Sequence, residues 1–188
     1  MESKLHMAVL KISKMLDERE HSQDAVLKLS REIIRDCAKA IRSIHTQDFE
    51  EMERLVKLID EKIKELRKHD PDFGHISEQC YQEIVEIKVL DAIFKRKEIP
   101  DYEDLDVEYK PWLSGLADVV GELRRATQLA LREGNKEDGE YFFKKMNEIY
   151  DNLMVLKYSA SLVGNLKHKQ DMIRGQIEQA RSEMLRAH

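Results

Sequence analysis

Proline and glycine, the residues that most often interrupt regular structure, are scarce in this chain. Its 188 residues include three prolines and seven glycines, whereas 37% are Asp, Glu, Lys or Arg. This balance, with abundant Leu and Ile, is typical of a protein built from long helices. We therefore predict an all-α protein, and a chain of this length fits one domain, spanning residues 1–188.

Long apolar runs and targeting segments are also missing. No stretch reaches the roughly 18 apolar residues of a membrane-spanning helix, and the first residues do not resemble a secretory signal peptide. We therefore expect a cytoplasmic protein without a membrane partner. The formal net charge of −5 argues against a nonspecific coat on nucleic acid, although it does not exclude a local basic surface.

Cysteine is nearly absent. The two cysteines, Cys37 and Cys80, fall within helical patterns and lack the spacing of a metal site. We expect both to be buried, reduced thiols. The histidines also show no pattern, and surface or capping positions are expected for most of them.

Apolar periodicity and helix-ending residues divide the chain into a single bundle of six or seven helices. Ser77 is the predicted N-cap of the third helix, and Pro111 is the predicted first residue of the fourth. Residues 98–110 are predicted to form an acidic loop. The last helix is most easily interrupted at Gly164 and Gly175. The predicted helices cover residues 4–45 (broken or continuous near 17–22), 47–68, 76–97, 112–132, 136–152 and 156–186.

Basic side chains recur every three or four residues within residues 25–45, opposite the apolar face of that helix. At about 1.5 Å per residue they form a positive ridge of roughly 21 Å, which suits several successive phosphates. Glu32 and Asp36 lie toward its flank, which would leave the ridge with one sign of charge. An ordinary solvated helix face is the alternative. This basic ridge consists of Lys28, Arg31, Arg35, Lys39 and Arg42.

Two pairs of carboxylates occur at helical spacing on neighbouring predicted helices. Glu83 and Glu86 are three residues apart, and Asp118 and Glu122 are four apart, so each pair lies on one side of its helix. Like charges at this spacing repel each other by roughly 0.2–0.5 kcal/mol per pair. If the two pairs converge, their oxygen ligands suit Mg²⁺ or Mn²⁺. A metal-bound water could then hydrolyse a phosphodiester that the basic ridge delivers.

Helical phase predicts different surroundings for the two carboxylate pairs. Glu83 and Glu86 share an arc with apolar residues, so each must be protonated, hydrogen-bonded or bound to a cation. Their alternative partners are Arg124, Arg125 or a lysine from another helix. Asp118 points away from the apolar arc of its own helix, so the pattern alone favours surface positions for this second pair. A ferritin-like di-metal bundle is disfavoured because Glu18-x-x-His21 is its only matching motif.

Three stretches combine these residues into longer motifs. Residues 16–19 read Leu-Asp-Glu-Arg and residues 28–31 read Lys-Leu-Ser-Arg, in a segment that ends near His45. Residues 82–86 read Gln-Glu-Ile-Val-Glu. Residues 113–125 read Leu-Ser-Gly-Leu-Ala-Asp-Val-Val-Gly-Glu-Leu-Arg-Arg.

These stretches resemble the translin family, specifically translin-associated factor X and its prokaryotic and archaeal relatives. The first is similar to that family's first long helix, and the second to its Gln-Glu-x-Val-Glu segment. The third matches Leu-x-Gly-Val-Ala-Asp-Leu-Thr-Gly-Glu-Leu-Met-Arg, with Ala-Asp and Gly-Glu-Leu at identical spacing.

The resemblance implies a translin-like helical fold and a homo-oligomeric shell, an octamer, with nucleic acid inside. The factor X type is a metal-dependent endoribonuclease, whereas translin binds RNA or DNA without the full acid set. By motif, the catalytic and metal-binding carboxylates carry over onto Glu83, Glu86 and Asp118, with Glu122 as the fourth.

Two functions follow from these observations. The first is a Mg²⁺- or Mn²⁺-dependent endoribonuclease that binds single- or double-stranded RNA through its basic ridge, with Arg124 and Arg125 as weaker RNA-binding candidates. The second is a catalytically silent shell that binds RNA or single-stranded DNA. No set of residues for reading bases is visible, so we expect backbone-directed binding that salt weakens strongly.

Overall fold

The computed structural model describes residues 3–71 and 73–187, and this part of the chain forms seven α-helices and no strand. The prediction of an all-α bundle is confirmed. Within the same residues, no helix combines the length and the apolar character needed to cross a membrane. The helices are α1 (Lys4–His45), α2 (Phe49–His69), α3 (Gly74–Phe94), α4 (Tyr109–Arg132), α5 (Lys136–Met154), α6 (Ala160–Val163) and α7 (Leu166–Ala187).

The first four helices differ from the sequence prediction mainly at their ends. Helix α1 is continuous through residues 17–22, so the break considered there does not occur. Ser77 is not an N-cap, because α3 already begins at Gly74; its hydroxyl instead donates to Asp70 Oδ1 at 2.6 Å and ties α3 to the end of α2. Helix α4 starts two residues before Pro111, which still lies in the first turn, where its missing N–H is tolerated.

The predicted single helix over residues 156–186 is wrong. Residues 156–159 are not helical, and α6 is a single turn that ends at Val163, with Gly164 as its C-cap. Gly164 has φ of 62°, a left-handed conformation that glycine adopts without steric cost. Helix α7 begins two residues later and runs through Gly175 without a break.

The helices pack around one apolar core. Helix α1 lies against α2 and α3, whereas α4 lies against α3, α5 and α7. Large side chains such as Ile33, Ile59, Leu90, Leu123 and Leu153 are fully buried between them. The first buried residue of α1 is Val26, so the N-terminal half of this helix extends away from the core.

A close approach of α3 and α4 positions the candidate site. A Cβ atom added at Gly115 would lie 2.7 Å from the carbonyl oxygen of Gln82 and 2.7 Å from the Val85 side chain. Only glycine therefore permits this helix spacing. This close approach brings the two carboxylate pairs to the same side of the bundle.

Candidate active site

The four carboxylates predicted from the sequence line one cavity. Glu83 and Glu86 of α3 and Asp118 and Glu122 of α4 share a cavity of about 290 Å³, which α7 closes with Lys169 and other residues. The alternative that Asp118 and Glu122 are surface acids does not hold, because their side chains are only 33% and 27% exposed. The structure thus brings both pairs together.

Glu86 lies deepest in this cavity. The residue is only 8% exposed. Burial, followed by the charges of Glu83, Asp118 and Glu122, raises the pKa of Glu86 to about 8. Burial and the charge of Asp118 also raise the pKa of Glu83. The structure confirms that Glu86 lies on the buried side of its helix, and Glu86 carries a proton over most of the neutral pH range.

Asp118 is held from two directions. The Lys169 ammonium lies 2.6 Å from both Oδ1 and Oδ2 of Asp118, and Gln82 Nε2 donates to Oδ2 at 2.5 Å. Lys169 also donates to the Ser114 carbonyl at 3.1 Å. The expected lysine from another helix therefore exists, but it contacts Asp118 and not Glu83 or Glu86.

Glu122 is held by a histidine from α1. Its Oε2 atom forms a hydrogen bond with His45 Nε2, and the His45 side chain is only 3% exposed. His45 Nδ1 is buried without a hydrogen-bond partner. The surface or capping position expected for the histidines is therefore wrong for His45.

Sequence reasoning missed both Lys169 and His45, although a signal existed for the lysine. Lys169 lies three residues after Leu166 and four before Ile173, both of which are buried. It is thus a charged residue on the apolar stripe of α7, where an unpaired charge is costly. His45 gave no comparable signal, because its partner is 77 residues away in the chain.

The cavity suits a divalent cation by ligand type but not by its present arrangement. Four carboxylates without sulfur ligands match the preference of Mg²⁺ or Mn²⁺. Burial first, and then the negative charges of the three neighbouring acids, raise the pKa of Glu86. Across residues 3–71 and 73–187, however, no three His, Cys, Asp or Glu side chains are positioned to hold one ion. Asp118 faces Lys169 and Glu122 faces His45, so cation binding requires side chains to move.

All five residues of the basic ridge are exposed along α1. Asp36 is buried and not on the exposed ridge, but Lys39 donates to it at 3.0 Å, which partly neutralises the charge of Lys39. Lys62 of α2 also donates to Asp36, at 2.8 Å. Burial opposes ionisation of Asp36, but the hydrogen bonds from Lys62 and Lys39 hold its pKa below the ordinary value. The ridge ends at Arg42, three residues before His45, the histidine that contacts Glu122.

The two weaker RNA-binding candidates differ in their surroundings. Arg124 forms an ion pair with Glu183 of α7 at 2.6 Å, the ordinary salt bridge that helical arginines often make. Arg125 is exposed. The structure therefore leaves Arg125 more accessible to RNA than Arg124.

The two cysteines are free and buried, as predicted. Burial raises the pKa of the Cys37 thiol far above its usual value and that of Cys80 to about 12. Both thiols stay protonated at neutral pH and are poor nucleophiles.

Comparisons with known proteins agree with this fold, which is a helical bundle of the C3PO type. The structure of AfC3PO in complex with duplex RNA matches with a TM-score of 0.86 and 31% identity over 96% of each chain. A second AfC3PO crystal structure matches with the same TM-score and 32% identity. Apo-NeC3PO also has a TM-score of 0.86, but its 20% identity supports the fold alone.

The sequence comparison points to an archaeal relative. The uncharacterized protein MJ0175 of Methanocaldococcus jannaschii is 38% identical over 174 residues, which are 90% of this chain and 78% of that protein. No family model matches the sequence. The similarity to AfC3PO, with 31% and 32% identity over 96% of each chain, shows that the chain belongs to the C3PO/translin family.

Proposed function

We propose that this protein is a Mg²⁺- or Mn²⁺-dependent endoribonuclease of the translin-associated factor X type. It hydrolyses phosphodiester bonds of RNA held inside a homo-oligomeric shell, an octamer. The observation that carries the proposal is the shared cavity of Glu83, Glu86, Asp118 and Glu122. Translin-like binding alone does not require a buried carboxylate beside three other acids, since such a cluster is costly without a cation.

The roles of the four acids follow from their surroundings. Glu83, Glu86 and Asp118 would hold the cation, and Glu86 must release its proton to do so. A bound divalent cation supplies a nucleophilic water and neutralises charge on a phosphoryl oxygen. Glu122, which His45 contacts, would accept a proton from the attacking water.

RNA reaches the cavity along the basic ridge. The ridge residues are exposed, and the last of them, Arg42, precedes the Glu122-binding His45 by one turn. The AfC3PO structure with duplex RNA supports RNA as the ligand class. The ridge offers positive charges but no set of residues that could read bases. We therefore propose that it binds the phosphates of single- or double-stranded RNA, with single-stranded DNA as a weaker ligand.

An apolar stripe on α1 supports the assembly of several copies. Leu5, Val9, Ile12 and Leu16 are each about half exposed or more, between 51% and 75%. Their spacing of four, three and four residues follows the heptad pattern by which helices pair. The stripe lies on the half of α1 that extends from the core, so we propose that another copy of the chain covers it.

A cleavage assay with purified protein tests the proposed activity. The wild type should cleave RNA with Mg²⁺ and not with EDTA. Asp118→Asn should lose more than the roughly 10–100-fold that removing an outer-shell partner of a metal site typically costs. Asp151→Asn, which changes an exposed carboxylate of α5, is the matched control and should cleave like the wild type. Cleavage that persists in EDTA or in Asp118→Asn contradicts the proposal.

One observation favours the second candidate function, a catalytically silent RNA-binding shell. Lys169 and His45 already hold Asp118 and Glu122, and the described side chains form no ready metal site. Under this alternative the four acids are structural. RNA binding would then persist in the wild type and in Asp118→Asn, while neither protein cleaves RNA with Mg²⁺.

A further inference from the structure

Lys169 places a positive charge in the carboxylate cavity. The residue is 9% exposed, and its ammonium contacts both carboxylate oxygens of Asp118 at 2.6 Å and the Ser114 carbonyl at 3.1 Å. Its charge also acts on Glu83 and Glu86, in the direction that favours their ionised forms. One ammonium thus serves as counter-charge to acids on two helices.

The contacts of Lys169 are one reason why the four acids form no ready metal site. Both oxygens of Asp118 are directed at the ammonium, and the remaining contact of Oδ2 is Gln82. A divalent cation that uses Asp118 must therefore share or displace this ammonium. The lysine side chain can move, because four rotatable bonds carry its charge and α7 anchors only its backbone.

We propose that Lys169 is a displaceable internal cation that competes with a divalent cation for Asp118. This inference rests on the proposed metal-dependent function and adds a positioning role for a residue on a third helix. Without the divalent cation, Lys169 keeps Asp118 paired and the acid cluster compact. When the cation binds, the ammonium leaves Asp118 and points into the cavity, where a negatively charged phosphate group would be received.

A static salt bridge between α7 and α4 is the competing explanation, and the two make opposite predictions for cation affinity. A purely structural Lys169 holds the ligands in place, so its loss would weaken binding. A competing Lys169 repels the incoming cation, so its loss would strengthen cation binding. The repulsion between two positive charges a few ångströms apart is strong in a partly buried site.

Mn²⁺ titration without RNA, followed by the electron paramagnetic resonance signal of free Mn²⁺, separates these explanations independently of cleavage. We expect Lys169→Met to bind Mn²⁺ at least about tenfold more tightly than the wild type. Lys169→Arg, which keeps a cation at this position, should bind no more tightly than the wild type. Lys167→Met removes the same charge from an exposed position on α7 and should match the wild type.

Each outcome of the titration has one meaning. Tighter binding in Lys169→Met alone supports the competition. Equal or weaker binding in Lys169→Met overturns it and leaves the proposed metal-dependent function standing. If neither the wild type nor Lys169→Met binds Mn²⁺, both the competition and the proposed function fail.

A second measurement uses the native protein and does not depend on how well a variant folds. Lysines are acetylated in the presence of EDTA or of Mg²⁺, and each modified position is quantified by peptide mass spectrometry. Displacement predicts that Mg²⁺ increases the modification of Lys169 severalfold while Lys167 is unchanged. Protection of Lys169 that is the same in EDTA and Mg²⁺ overturns the proposal.

Discussion

Replacing Glu86 by glutamine should raise the free energy of unfolding at alkaline pH, although most substitutions of buried residues lower it. The pKa of Glu86 rises from 4.5 to about 8, first through burial and then through Glu83, Asp118 and Glu122, while Lys169 opposes the rise. The folded protein therefore binds more protons than the unfolded chain between these values, so the free energy of unfolding falls as the pH rises from about 5 to about 8. One pKa unit corresponds to about 1.36 kcal/mol, which sets an upper limit of roughly 5 kcal/mol for the full shift.

Glu86→Gln removes this titration and keeps the side-chain shape. In EDTA, we expect it to match the wild type near pH 5 and to exceed it at pH 8.5 by on the order of 2–4 kcal/mol, somewhat below the limit because the acid cluster can relax. Urea unfolding at fixed ionic strength between pH 5 and 9 measures the difference. Glu78→Gln, an exposed position on the same helix, is the control. Parallel pH profiles for the wild type and Glu86→Gln would refute the reasoning.

Three further predictions concern the ridge, the helix contact and the assembly. Replacing Arg35 and Arg42 by alanine should weaken RNA binding and reduce the slope of log Kd against log salt concentration by about 1 for each lost phosphate contact. An unchanged slope would show that the ridge is not part of the RNA interface. Gly115→Ala should cost about 1–3 kcal/mol in urea unfolding, because its Cβ would lie 2.7 Å from three α3 atoms. Gly175→Ala meets nothing within 4 Å and should stabilise α7 by up to about 1 kcal/mol. Equal effects at the two glycines would contradict the close helix approach. Ile12→Asp should reduce the assembly mass in light scattering, and an unchanged mass would show that the apolar stripe of α1 is not an interface.

The sequence was most predictive where periodicity alone decides the outcome. The scarcity of glycine and proline indicated an all-α bundle, and the phase of Glu86 with its apolar neighbours predicted its burial. Both depend on local spacing along one helix. The ends of α3 and α4 were less accurate, because Ser77 and Pro111 suit several positions in a first turn.

The assembly of the site could not be predicted from local patterns. Asp118 points away from the apolar arc of α4, and it faces the cavity only because Gly115 admits α3 and because α7 closes the opposite side. Its partner Lys169 is 51 residues away in the chain. The family resemblance, and not helical phase, placed Asp118 with Glu83 and Glu86. Likewise, the separation of α6 and α7 depends on the left-handed φ of Gly164, which a glycine permits but does not require.

The most direct test of the central claim is the rate of Mg²⁺-dependent RNA cleavage by Glu86→Gln relative to Glu78→Gln. The two variants remove a carboxylate from the same helix, one in the cavity and one on the surface. If the cavity is the active site, Glu86→Gln loses at least about a hundredfold in rate while Glu78→Gln cleaves like the wild type. Equal rates for the two variants would contradict a catalytic role for the four carboxylates.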